Sequence, residues 1–251
     1  MNINNSYFDG AYKEIWRNLL PPELAVKEAE LIVNYFQLAP GSKVLDLMCG
    51  YGRHALELGR KGITVTAVDN LADYIDEVNR IAGEEKLPVT GICTDVLGYK
   101  GTEIVDLAIC MGNSLNFFEE KDALSILKRV ADQLKSGSHL LINTWSLAEI
   151  AIRSFAQRSW SQIGDKKILS ENNYKFNPAR IVNETTIISA DGTIENKSGV
   201  DYIFTVDEMT RLLDTAGFTG VKFYHVPGKK EFQLGDPRAY IVAQKAKKAD
   251  T

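Results

Sequence analysis

Apolar positions recur along this chain in two alternating rhythms. Residues 23–36 put Ala25, Ala29, Ile32, Val33 and Phe36 on one face at helical spacing, which predicts a helix ahead of everything else. Residues 43–48 are then a short apolar run, closed by a glycine turn and followed by a helix over 53–60. A second strand spans 63–68, and Tyr74, Ile75, Val78, Ile81 and Ala82 stripe the helix behind it. Strands three and four fall at 88–93 and 104–111. Ala123, Leu124, Leu127, Val130, Ala131 and Leu134 mark a helix that stops before Gly137, and 139–145 is the fifth strand.

After Trp145 the rhythm changes. Residues 146–160 look loosely helical, and 168–174, 181–189 and 193–204 read as strands. Asp191-Gly192 and Asn177-Pro178 supply the reversals between antiparallel neighbours. Helical spacing returns with Met209, Leu212, Leu213 and Ala216, stopped by Gly217, and strands at 220–226 and 238–244 end the pattern. Nearly all-apolar strands alternating with helices predict an α/β fold. Its core is a doubly wound, mostly parallel seven-stranded sheet with helices on both faces, and a small antiparallel β insertion follows strand five. The expected division is 1–145 plus 205–251 as one domain, with 1–22 as an N-terminal flap and 146–204 as an inserted substrate or lid element.

Chemistry concentrates in the turn after the first strand, Asp46-Leu47-Met48-Cys49-Gly50-Tyr51-Gly52-Arg53-His54-Ala55. Glycines at 50 and 52 allow a tight turn and bring a ligand against a helix N-terminus at the carboxyl edge of the sheet. Alone, the string Gly-x-Gly-x-x-Ala also fits a dinucleotide fingerprint, or a turn that only joins strand to helix. Three acids narrow the choice. Asp46 ends the first strand, Asp69 ends the second, and Asp95 follows the third, so their carboxylates should line one crevice. A carboxylate accepting two hydrogen bonds suits a ribose diol at Asp69, and Asp95 can accept from an adenine amino group.

This arrangement resembles the class I (Rossmann-like) S-adenosylmethionine (SAM)-dependent methyltransferases, on the segment Asp46–Gly52, on Asp69, on Thr94-Asp95-Val96, and on Asp106 through Ser114 at strand four. Residues 40–145 carry most of the likeness. It is closest in look to glycine N-methyltransferase-like and bacterial small-molecule enzymes, which also carry an antiparallel insertion after strand five. The resemblance implies S-adenosyl-L-methionine as cofactor and S-adenosyl-L-homocysteine as product. It implies Gly50 and Gly52 at the methionine end, Asp46 ordering the amino group, and Asp69 with Asn70 at the ribose. Asp95 and Val96 then fall at adenine, with Met111 near the amino end. One departure is informative: Gly112-Asn113-Ser114-Leu115 stands where DNA-base and glutamine methyltransferases carry Asn/Asp-Pro-Pro-Tyr/Phe. That argues against those substrates and leaves the acceptor atom open; the resemblance sets the expectation of a small molecule methylated on N or O.

A general base is needed only for a hydroxyl or a protonated amine. Of the three histidines, His139 begins a strand, His54 lies one turn into the cofactor helix, and His225 near a strand end is the candidate base. Tyr7, Tyr12 and Trp16 either pack the first helix or form a flap over the site. Asn113, Trp145, Arg153 and Tyr174 are further candidates for contacting the acceptor, with core or dimer-interface roles as the plainer alternative. Tyr202 belongs to the same group.

Composition changes the picture little. Of 251 residues, 45% are hydrophobic and 25% charged, as in ordinary globular proteins. A formal net charge of −4, with basic residues massed only at 245–248, argues against a nucleic-acid partner. Cys49, Cys93 and Cys110 are too few and scattered for a zinc site, so no metal is expected. The first five residues lack a signal-peptide layout and no run reaches membrane-spanning length, giving a cytoplasmic monomer or homodimer as the expectation. Two rivals stay open. One is an NAD-dependent oxidoreductase, which Gly50, Gly52, Ala55 and Asp69 would satisfy; Asp46, Asp95 and the forty preceding residues weigh against it. The other is a non-catalytic SAM-binding protein.

Overall fold

The structure, a computed structural model, describes residues 2–247; Met1, in the leader reading, and Lys248, in the basic run, lie outside the described residues. A 3-10 turn at Ile3–Ser6 leads into helix α1 (Tyr12–Leu19) and helix α2 (Pro22–Tyr35), the latter started by proline, whose fixed φ suits a first helical turn. Strands β1 (Lys43–Leu47), β2 (Thr64–Asp69), β3 (Val89–Cys93) and β4 (Val105–Cys110) then come in turn. Helix α3 (Arg53–Arg60) lies between the first two, and α4 (Ala72–Glu85) between the second and third. Helix α5 (Glu120–Gln133) runs straight into β5 (Leu134–Thr144), which starts earlier than the sequence pattern indicates.

Beyond β5 come α6 (Ala148–Ser154) and four antiparallel strands: β6 (Arg158–Ile163), β7 (Lys166–Phe176), β8 (Ala179–Ile188) and β9 (Ile194–Tyr202). Helix α7 (Val206–Thr215) follows, with a capping box between Thr205 and Glu208. The last strands are β10 (Phe218–Val226), the two-residue β11 (Lys230–Glu231) and β12 (Ala239–Lys245). The main sheet has the order β11-β10-β12-β5-β4-β1-β2-β3, in which β3, β2, β1, β4 and β5 are parallel and β12 is antiparallel to both neighbours.

The sheet is apolar on both sides because successive residues of its strands point to opposite faces. Leu45, Ala108, Leu140 and Ile142 pack on Leu127 and Val130 of α5 and Leu212 and Leu213 of α7. Their neighbours Val44, Leu107, Ile109 and Leu141 pack with Val65 on Ile32 of α2, Leu58 of α3 and Val78 of α4. The segment 146–160, expected to be helical, holds α6 and then β6. Five of the six β6 residues are exposed, so this edge strand writes no burial pattern into the sequence. The two ends of the insertion meet: Leu147 bridges Phe204, and the Ala148 amide donates to the Phe204 carbonyl at 2.9 Å.

Candidate functional site

Parallel packing of β1, β2, β3 and β4 puts Asp46, Asp69, Asp95 and Met111 at one edge of the sheet. The turn from β1 to α3 is held in an unusual backbone path, with positive φ at Met48 (+53°), Gly50 (+56°) and Gly52 (+73°). Gly52 is the N-cap of α3, and a Cβ there would sit 2.5 Å from Val78 Cγ2, so glycine is what lets α3 and α4 close on each other. A Cβ on Gly50 would meet nothing nearer than Tyr74 at 3.9 Å.

A cavity of about 1070 Å³, partly open to solvent, runs along this edge. Asp46, Gly50, Asp69, Asn70, Asp95, Val96 and Met111 line it. Asp69 accepts from the Gly50 amide on Oδ2 (2.8 Å) and from the Leu71 amide on Oδ1 (3.0 Å). Burial raises its pKa against these donors, and each oxygen keeps acceptor capacity. Asp95 accepts from the Leu97 amide at 2.8 Å. Asp46 is 1% exposed, and neither of its oxygens has a hydrogen-bond partner among the described residues. Burial pushes it up to about 8, Asp69 adding to the rise; Arg53 and the nearby Ala55 amide, which falls short of hydrogen-bond geometry, pull it down. A buried carboxyl without donors is costly unless a ligand or water completes it.

The far end of the cavity is roofed by the N-terminal segment. Phe8 packs on Phe117 (ring centroids 4.8 Å apart), Tyr12 stacks on Trp16 (6.1 Å), and Trp16 leans on Trp145 (6.0 Å). The segment is a strap fastened on two sides. Lys13 and Arg17 pair with Glu77 of α4, and Tyr74 donates to the Phe8 carbonyl at 2.6 Å. On the antiparallel sheet, Asn4 exchanges two hydrogen bonds with the Val200 backbone (2.8 and 2.9 Å). There Tyr7 reaches Asn183 (2.8 Å) and Thr185 (3.0 Å), Asp9 pairs with Lys197, and Glu14 with Lys166.

Comparison with known proteins bears on what this cavity holds. The methyltransferase-domain family matches residues 44–137, the segment that builds the glycine turn and all three acids. Residues 44–137 thus match a methyltransferase domain, within a chain whose fold is that of class I SAM-dependent methyltransferases. Over 231 residues it is 26% identical to the S-adenosyl-L-methionine-dependent Diels-Alderase iliD of Neonectria sp. (strain DH2), covering 91% of this chain and 80% of that protein. Its fold is that of the CcbJ methyltransferase from Streptomyces caelestis (TM-score 0.82, 15% identity, 98% of both chains). The SAM-bound amino pentose methyltransferase CalS10 from Micromonospora echinaspora shares it too (TM-score 0.70, 17% identity, 95% of this chain and 98% of that one).

The methyltransferase-domain match, together with a SAM-bound neighbour of the same fold, indicates SAM as the cofactor. The cavity suits a cationic, ribose-bearing ligand: orphaned Asp46 lies at one point and half-used Asp69 at another. Behind this wall, burial pushes the Glu28 carboxyl up, but donation from His54 and Tyr240 and the charge of Arg53 hold it well below the usual range. Burial keeps His54 neutral, so the ring serves Glu28 as a neutral donor. Arg53 is thereby anchored at the cavity wall.

Of the acceptor-side candidates, the structure brings Tyr12, Trp16 and Trp145 to the cavity and leaves others away from its lining. Tyr7 packs behind Tyr12 (5.1 Å). Asn113 is 1% exposed and wholly engaged: its Oδ1 accepts from the Trp145 and Ser146 amides, and its Nδ2 donates to Ser146 and Asp201. Tyr202 packs on the core near α5 and α7. Arg153 lies beside Gly235, and Tyr174 packs against Phe155 and the exposed Phe176. His225 lines a second cavity with Pro227, Arg238 and Tyr240, and its Nδ1 lies 3.4 Å from Asp236 without hydrogen-bond geometry. Sequence reasoning missed Asn2, Asn4, Phe117 and Tyr74, all on the lining, and Asp201 behind it. An aromatic-rich segment ahead of the first strand was the one available signal.

Proposed function

We propose that this methyltransferase moves the methyl group of SAM to a nitrogen or oxygen atom of a small-molecule acceptor. The observation that carries this reading is a single cavity with carboxylates at the strand ends and an aromatic roof, the two meeting around Met111 and Trp145. Bound there, SAM supplies a methyl carbon already activated by its sulfonium charge. The residues that would hold it are Asp69 and Asn70 at the ribose, Asp95 and Val96 at adenine, and Asp46 with the Gly50 turn at the methionine end. Tyr12, Trp16 and Trp145 exclude water from the reacting end and fix the acceptor's approach, which in a displacement supplies much of the rate.

In this reading the core is 1–145 with 205–251, and 146–204 is the element that, with the strap, sets acceptor choice. Three free thiols, Cys49, Cys93 and Cys110, fit a reducing cytoplasmic setting for a monomer or homodimer. CalS10, named for an amino pentose, supports a nitrogen acceptor. The name of iliD supports a second reading, in which SAM stays intact while the pocket guides a cycloaddition. Chromatography separates them: methyl transfer releases S-adenosylhomocysteine in step with product, and a cycloaddition releases none. Calorimetry tests the base of both, with micromolar-range SAM binding and no NAD heat expected; tight NAD binding with no SAM heat would overturn them.

A further inference from the structure

Asp201, on β9, is held where the strap, the end of β4 and the inserted sheet converge. Three asparagines clamp three consecutive residues there. Asn4 bonds both backbone groups of Val200, Asn113 donates to Asp201 Oδ1 at 2.9 Å, and Asn116 donates to the Tyr202 carbonyl at 2.8 Å. Asn113 itself sits at φ +69° between the cavity-lining residues Gly112 and Ser114. Asp201 Oδ2 takes no hydrogen bond among the described residues, and it is not one of the sealed orphan atoms, which are the two Asp46 oxygens and His225 Nδ1. The titratable groups that face it are the phenols of Tyr7 and Tyr12; burial raises both, with Asp201 adding to each rise. No basic side chain pairs with Asp201 among the described residues, so this half-buried acid is oriented by Asn113 and without a counter-charge.

We propose that Asp201 anchors a protonated amine of the acceptor beneath the Tyr12–Trp16–Trp145 wall and receives its proton. This deepens the methyl-transfer reading and rests on it. The proton leaves the ammonium nitrogen for Asp201 Oδ2, which turns carboxylate into acid. The nitrogen lone pair so released is the nucleophile; it is spent in the new N–C bond while the sulfur–methyl bond of SAM breaks and its electron pair stays on sulfur, leaving S-adenosylhomocysteine. Aromatic walls and one unpaired carboxylate select a primary or secondary amine on an apolar or sugar-like body and disfavour anions. Burial pushes the Asp201 carboxyl up to about 7, opposed by the Asn113 donation, which suits a proton acceptor working near neutrality.

The test uses the full chain loaded with S-adenosylhomocysteine, benzylamine as the cationic probe and benzyl alcohol as its neutral counterpart. Calorimetry should show benzylamine binding that weakens at least ~10-fold in Asp201→Asn, with benzyl alcohol unaffected and cofactor affinity within ~2-fold. Asp201→Glu should recover part of the loss, which a merely structural role would not predict. Equal benzylamine binding by the wild type and a folded Asp201→Asn overturns the proposal, and so does no benzylamine binding at all. An Asp201-dependent probe site in a protein that forms no S-adenosylhomocysteine from any amine keeps the site and rejects methyl transfer. Amine-dependent turnover with the same rate and pH profile in Asp201→Asn does the reverse.

Discussion

The cofactor end and the acceptor end of the cavity are built by different means. At the cofactor end the centre of the site is local: Asp46, Gly50 and Gly52 lie within seven residues of chain, and Asp69 meets Gly50 across only 19 positions. At the acceptor end the ties are long. Asn4 meets Val200 across 196 residues, Tyr7 meets Asn183 across 176, and Asn113 meets Asp201 across 88. The first end is set by short-range backbone geometry, and so it has a motif. The second is set by how distant elements dock, so its residues carry no spacing rule.

The largest effect should come from the local end. Asp69→Ala removes the acceptor of the Gly50 and Leu71 amides along with the expected ribose contacts. Charge-assisted bonds contribute about 1.5–3 kcal/mol each, so SAM affinity should fall ~100-fold or more in a chain that stays folded. Unchanged calorimetric affinity would place the ribose elsewhere and dissolve the contrast. Gly52→Ala comes next: positive φ and the Val78 contact should cost about 2–3 kcal/mol in denaturant unfolding, part of it regained with Val78→Ala. If the double variant is no more stable than the single one, the close approach of α3 and α4 is not the constraint.

Asp46 sharpens the comparison through pH. Its folded pKa is raised to about 8, so between roughly pH 4 and 8 the cofactor-free native state holds more protons than the unfolded chain, and stability falls as pH rises. Asp201, raised to about 7, acts in the same direction, whereas Glu28, held low, loses its contribution only on acidification. Without cofactor, Asp46→Asn should therefore be more stable than wild type at pH 8, by about 1–2 kcal/mol, and no more stable at pH 4. Equal melting curves at pH 8 would mean that Asp46 is already compensated. The smallest effect is expected at Tyr174→Ala, on the outer side of the insertion: a change under ~2-fold in SAM affinity and in turnover. A large loss of turnover there would extend the acceptor site well past the strap.

Most of the fold was legible in the sequence because a parallel sheet covered on both faces writes continuous apolar strands between striped helices. The strand β6 was not, since Arg158–Ile163 pairs on one edge only and buries almost nothing. Among site residues, the glycines and strand-end acids could be read from position alone, and all the acids reach the cavity. Asn113 could be seen but not interpreted: its place after β4 points at a ligand, and only the structure shows its amide consumed by Trp145, Ser146 and Asp201. Asp201 was hidden because an acid inside an amphipathic strand looks like a solvated face. Its neighbours there include Tyr7 and Tyr12, nearly two hundred residues away.

The strap's fastenings have a kinetic meaning. Both seams carry partly wetted ion pairs beside their neutral hydrogen bonds: Lys13 and Arg17 on Glu77 along one border, Asp9 on Lys197 and Glu14 on Lys166 along the other. Such pairs weaken as dissolved salt shortens the reach of charge to a few ångströms. The wall that shelters the reacting end is thus a clasp whose grip depends on the surrounding electrolyte. Residence time of the spent cofactor should shorten as salt rises, measurable by stopped-flow displacement, and neutralising Glu77 should abolish much of that dependence. Turnover would then be paced by the ionic medium as much as by the chemistry beneath the clasp.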